Sequence, residues 1–85
     1  MSFMLQAMNA ERLMLAFDFL CKRAMQEIKL AGCSHQNSVA VDISGEDTGE
    51  VAHLVAKMLE HWNFYEVEVS HARKLMYISW PMEEN

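Results

Sequence analysis

The chain has 85 residues, two cysteines and a formal charge of −5, enough for one domain with one core and too short for a second. It has no apolar run near the ~20 residues of a membrane span, no signal-peptide pattern in the opening MSFMLQAMNAER, and at most one bridge between Cys21 and Cys33. The acid is concentrated late, with a balance of +1 up to Asn37 and −6 from Ser38 onward, which works against a nucleic-acid partner.

The first element is a helix from about Asn9 to Ala31. Leu13, Phe17, Leu20, Ala24, Ile28 and Ala31 recur at spacings of three and four, as one helix face requires. Gly32 supplies a stop, and GCSHQNS reads as a polar loop. VAVDIS then alternates, with Val39, Val41 and Ile43 on one side and Ala40 and Asp42 on the other, the pattern of a half-buried strand.

SGEDTGE opens a second helix, with Asp47 placed to cap the free amides and Glu50 at the capping-box position. Val51, Leu54, Val55, Met58, Leu59 and Trp62 follow at helical spacing, and Asn63 suits a left-handed terminator. YEVEVS alternates with Tyr65, Val67 and Val69 inward; HARK reverses the chain; LMYISW points Met76, Ile78 and Trp80 inward before Pro81 ends the strand. Residues 1–85 are one domain, with 1–8 an N-terminal extension or helix start and 81–85 a loose tail.

The order α-β-α-β-β predicts an α+β, two-layer α/β sandwich: a three-stranded mixed sheet with two helices on one face. The last strand either adds outside the second or slots between the first two. Its apolarity favours the slot, which also sets Tyr77 between Asp42 and Glu66/Glu68 and separates like charges.

Chemistry-bearing patterns are weak. Cys33 and His35 make a C-x-H pair in a loop, while His53 and His61 differ by ~80° around their helix, so no four-ligand zinc spacing exists. The DISGEDTGE turn matches no phosphate-loop pattern, and its carboxylates would repel an anion. Asp42, Glu46 and Asp47 offer hard oxygens without calcium-loop spacing. Ser34 and Cys33 neighbour His35 with no third orienting group, so no catalytic residue, metal or cofactor is expected, and the chain is not expected to be an enzyme.

Seven methionines beyond the initiator suit adaptable apolar contacts, although Met14, Met25, Met58 and Met76 read as core filling. The first helix, moreover, carries two apolar stripes. Leu13, Met14, Phe17, Leu20, Cys21, Ala24, Met25, Ile28 and Ala31 fill one broad arc. Met8, Leu15 and Phe19 fall nearly opposite with Leu30 at the margin, flanked by Glu11, Asp18, Lys22 and Lys29 on one side and Arg23 and Glu27 on the other. Self-association through Met8, Leu15 and Phe19 is the leading expectation, a two-fold axis setting the helix antiparallel to its copy with Phe19 near the centre. A folded-back N-terminus or plain exposure are the alternatives.

The ending YEVEVSHARKLMYISW, after a capped amphipathic helix, resembles small uncharacterised phage and prophage proteins in which a similar hairpin ends in an I-S-W-like triplet. The likeness covers residues 38 to 80 and consists of hydrophobic patterns, so no site residue carries over. It implies an accessory viral protein that acts by binding, with a host protein as partner. The expected function is therefore that of a small cytoplasmic interaction protein (host cytoplasm if viral), homodimeric, with no membrane or direct nucleic-acid partner. An acidic decoy is the alternative: a candidate binding face of Asp42, Glu66, Glu68 and Tyr77 would occupy a host nucleic-acid-binding protein. A small enzyme or metal protein is the remaining class.

Overall fold

The computed structural model describes residues 3–62 and 64–81, with side chains described from Asn9 onward. Helix α1 spans Phe3–Cys33, strand β1 Ser38–Asp42, helix α2 Glu46–His61, strand β2 Glu66–Ser70 and strand β3 Leu75–Ser79. Asn63, the expected terminator of α2, lies outside the described residues.

The three strands form one sheet in the order β1-β3-β2. Val39 and Val67 flank Ile78, and Val41 and Val69 flank Met76, so these six inward positions meet in register. The sheet is antiparallel throughout and not mixed. β1 and β2 point the same way, but β3 lies between them and opposes both, so no parallel pair forms. The same register seats Tyr77 between Ala40 and Glu68, while Asp42 opposes Leu75, which corrects the expected Asp42–Tyr77 neighbourhood.

Both helices pack on the inward face. Leu20, Ala24 and Ile28 from α1, Val51, Val55 and Leu59 from α2, and Val41, Met76 and Ile78 from the sheet belong to one core. Arg12 pairs with Asp47 at 3.4 Å, and Cys21 Sγ lies 4.0 Å from Met58 Sδ, so the helices run side by side in the same direction. The nine residues of α1 before Arg12 carry the helix about 14 Å beyond that first cross-link.

Contact with both the sheet and α2 rotates the buried arc of α1. Ala16 is buried, whereas Met14 is 72% and Met25 40% exposed. The arc is therefore turned by about 40° from the predicted one, towards the sheet. Met14 and Met25 are not core filling, unlike Met76, which is fully buried. α2 behaves likewise: Ala52 and Ala56 go inside, and Leu54 and Trp62 stay exposed. Small residues let the helices and the sheet approach one another, and the long side chains move to the margin.

Two local details differ from the sequence reading. The N-cap of α2 is Gly45 with no side-chain cap, since Asp47 lies within the first turn and reaches Arg12 instead. The Asp42 carboxylate accepts from the Ser44 amide at 2.8 Å and shapes the entry to the helix. Gly32 remains helical, and the left-handed residue that ends α1 is His35, at φ 59°. The Gln36 amide donates to the Ala31 carbonyl at 2.8 Å and the His35 amide to Gly32 at 3.2 Å, a Schellman closure with a non-glycine at its strained position. His35→Gly is therefore expected to stabilise the fold. A left-handed residue with a Cβ costs roughly 1–2 kcal/mol, part of which the greater entropy of an unfolded glycine cancels. The net gain of about 0.5–1 kcal/mol corresponds to a rise of a few degrees in Tm by circular dichroism; His35→Ala should give no gain.

Candidate functional site

Four surfaces invite attention. The first is the outer face of α1. Leu15 is 66% and Phe19 56% exposed, and Leu30 is exposed on the same side, while the next residue in sequence after Phe19, Leu20, is fully buried. The backbone from Phe3 onward continues the same helix, so residues 3–8 do not fold back over this stripe. Met8 falls at a helical position in line with Leu15 and Phe19, and its side chain lies outside the described residues.

Charges border the stripe on one flank in a definite order. Glu11 and Asp18 lie in its first half and Lys22 and Lys29 in its second, and Asp18 and Lys22 pair at 2.9 Å. Such a flank is acidic at one end and basic at the other. A parallel copy would set like against like; an antiparallel copy would set opposites together.

The second surface is a groove of about 480 Å³ between the helices, walled by Leu13, Met14, Phe17, Val51 and Leu54 and edged by Asp18, Glu50 and His53. It continues the apolar margin that the rotation of α1 leaves open, and sequence reasoning missed it because Met14 read as core.

The third is the outer sheet face, where Asp42, Glu66 and Glu68 are exposed and Tyr77 is half-buried. It is less acidic than its sequence suggests. The Arg73 guanidinium lies beside the Tyr77 hydroxyl, which with the nearby Glu68 carboxylate holds the arginine even further above its ordinary range. Asp42 is held below the usual carboxylate range by the hydrogen bonds from Ser44 and then by the charges of Arg23 and Lys74. Cations thus lie near two carboxylates of this face, Arg23 and Lys74 by Asp42 and Arg73 by Glu68. The structure brings Glu66, Glu68 and Tyr77 together around one shallow hollow of about 230 Å³, while Asp42 sits on β1, across β3 from the two glutamates.

The fourth is a cleft of about 620 Å³ where the C-terminal end of α2 meets the start of β2 and the end of β3, lined by Glu60, Phe64, Tyr65, Glu66, Trp80 and Asn37 among others. Tyr65 stands edge-on to Phe64 with ring centroids 5.0 Å apart, and to Trp80 at 6.0 Å. Tyr65 and Trp80 read from the sequence as inward-facing residues of separate strands, and only the sheet pairing brings them together beside Phe64.

For chemistry, Cys33 is the exposed last residue of α1 and His35 sits in the exposed turn that follows. Burial, with Asp18 adding to it, pushes the Cys21 thiol up, away from the reactive thiolate. Among the described residues, no three His, Cys, Asp or Glu side chains come together as a metal site, and no helix is long and apolar enough to cross a membrane. Comparison with family models, with curated proteins and with solved structures finds no match.

Proposed function

We propose that this protein is a small interaction module that pairs with a second copy of itself through the outer face of α1. The observation that carries the reading is the exposure of Leu15 and Phe19, with Leu30, on the side of α1 opposite the core, while Leu20 and Ile28 on the inner side are buried. Covering each would contribute roughly 1.5–3 kcal/mol, a large incentive where total stability is marginal.

The flanking charges support one geometry. About a two-fold axis level with Leu20, residue 18 of one copy faces residue 22 of the other, and residue 11 faces residue 29. Both pairings set acid against base, Asp18 with Lys22 and Glu11 with Lys29. Phe19 then lies beside its own copy near the axis. Because association itself costs several kcal/mol, the dimer is expected to depend on concentration in the micromolar range. The phage-like pattern of residues 38–80 adds a host protein as the expected second partner. The acidic-decoy alternative draws less support, since cations lie near two of the carboxylates it would need, Arg23 and Lys74 by Asp42 and Arg73 by Glu68.

Light scattering after size exclusion tests the reading. The expected result is a mass that rises from one copy to two with concentration; a single copy throughout the micromolar range defeats it. A charge swap tests the register. Asp18→Lys alone should weaken the dimer by opposing like charges, and adding Lys22→Asp should restore it, whereas a register elsewhere on the helix would leave both variants equal.

A further inference from the structure

The cleft at the α2–β2 corner has the composition of a cation site. We propose that it binds a weakly hydrated organic cation, a trimethylammonium group, between the rings of Phe64, Tyr65 and Trp80 and the carboxylates of Glu60 and Glu66. None of its lining residues comes from α1, so the inference stands apart from self-association.

The walls are held in place. Trp80 continues β3 beyond its last paired residue, where its amide donates to the Asn37 carbonyl at 3.0 Å and the Asn37 side-chain amide donates to the Trp80 carbonyl at 3.1 Å. Tyr65 and Trp80 each pack one side on the core. Tyr65 packs nearly perpendicular to both neighbours, at 80° to Trp80 and 90° to Phe64, so the three rings form one continuous aromatic cluster beside the cleft. Phe64 and Trp62, which stands 6.2 Å from Tyr65, are about half exposed, more than packing alone would ask of two large aromatic rings.

The charge selects the ligand. Among the described residues the ionisable groups at the cleft other than Tyr65 are Glu60 and Glu66, both exposed. An anion would be repelled, and a neutral ligand would leave the carboxylates unused. A cation over a ring face within about 6 Å is attracted by the ring quadrupole. A primary ammonium needs acceptors to replace its water, and the carboxylates here sit at the exposed rim while the walls are rings. The trimethylammonium group sheds little hydration and presents methyl surface to those rings, so it fits this wall best.

Choline is the probe, followed by amide NMR on the full chain at constant ionic strength. The expected result is a saturating shift centred on Tyr65, Glu66, Val67 and Trp80, with the neutral isostere, in which a tert-butyl group replaces the trimethylammonium, binding roughly three- to tenfold more weakly. Glu60→Gln with Glu66→Gln should weaken choline by a similar factor while leaving the spectrum of a folded protein, and Phe64→Ala should do the same without any change of charge. A peptide carrying trimethyl-lysine, titrated in parallel, distinguishes a modified protein from a free small molecule as the source of the group, and tighter binding by either supports the site. Equal binding of choline and its neutral isostere, shifts centred instead on Glu46, Asp47 and Glu50, or full binding by the double glutamine variant would each overturn the proposal.

Discussion

Leu15→Glu together with Phe19→Glu is expected to yield a folded monomer at concentrations where the wild type pairs. Both side chains are exposed in the single chain, so the folded monomer should lose little, within about 0.5 kcal/mol for each surface change and a few tenths for the new like-charge pair at i,i+4. In the pair, four carboxylates would be brought together near the two-fold axis. Each charge withdrawn from water without a partner costs several kcal/mol, enough to abolish a micromolar dimer. The measurement is mass by light scattering beside the helical signal in circular dichroism. Loss of the helical signal would mean that Leu15 and Phe19 support the fold, and an unchanged two-copy mass would place the interface elsewhere, the Met14–Leu54 groove being the next surface to test.

Leu20→Ala, one residue further on, should behave in the opposite way. Leu20 is fully buried against α2 and the sheet in the common core, and truncating such a leucine costs about 2–5 kcal/mol because the cavity only partly collapses. For a domain of this length, at about 0.05–0.15 kcal/mol per residue, that is a large fraction of the total stability. Urea unfolding should show the midpoint falling steeply with little change in slope. The contrast between neighbours separates the two faces of α1: position 19 governs mass, position 20 governs stability. A Leu20→Ala protein as stable as the wild type would mean that the core packs differently from the arrangement described.

The exposed stripe was legible because it depends on helical spacing alone. Leu15 and Phe19 lie opposite Leu20 and Ala24 on any helix through these residues, whatever the helix packs against. The fate of Met14 and Met25 was not legible in this way. They sit at the edge of the apolar arc, and an edge position is decided by where the neighbouring helix lies. Both became surface, while Ala16 went inside. The left-handed turn after α1 misled for a related reason. Glycine is the usual choice there, so Gly32 drew the assignment, but the helix continues to Cys33 and the cap falls on His35.

The candidate sites divide along the same line. The outer stripe belongs to one helix and could be read from the chain. The aromatic cleft combines Asn37, Glu60, Phe64, Tyr65, Glu66 and Trp80, and neither periodicity nor motif links them. Likewise Arg73 could be placed beside Tyr77 only once the hairpin was folded.

What the sequence by itself determined is local: five elements, their apolar faces, and a first helix with more apolar surface than one core needs. Those follow from periods of two and 3.6, which every residue in an element shares. What only the tertiary structure decided is relational: the all-antiparallel pairing, the turn of α1 about its axis, the mixed charge of the outer sheet, and the aromatic cleft. Each depends on which elements become neighbours, a choice made by burying the inward side chains of all five together, and no single stretch of chain carries that information.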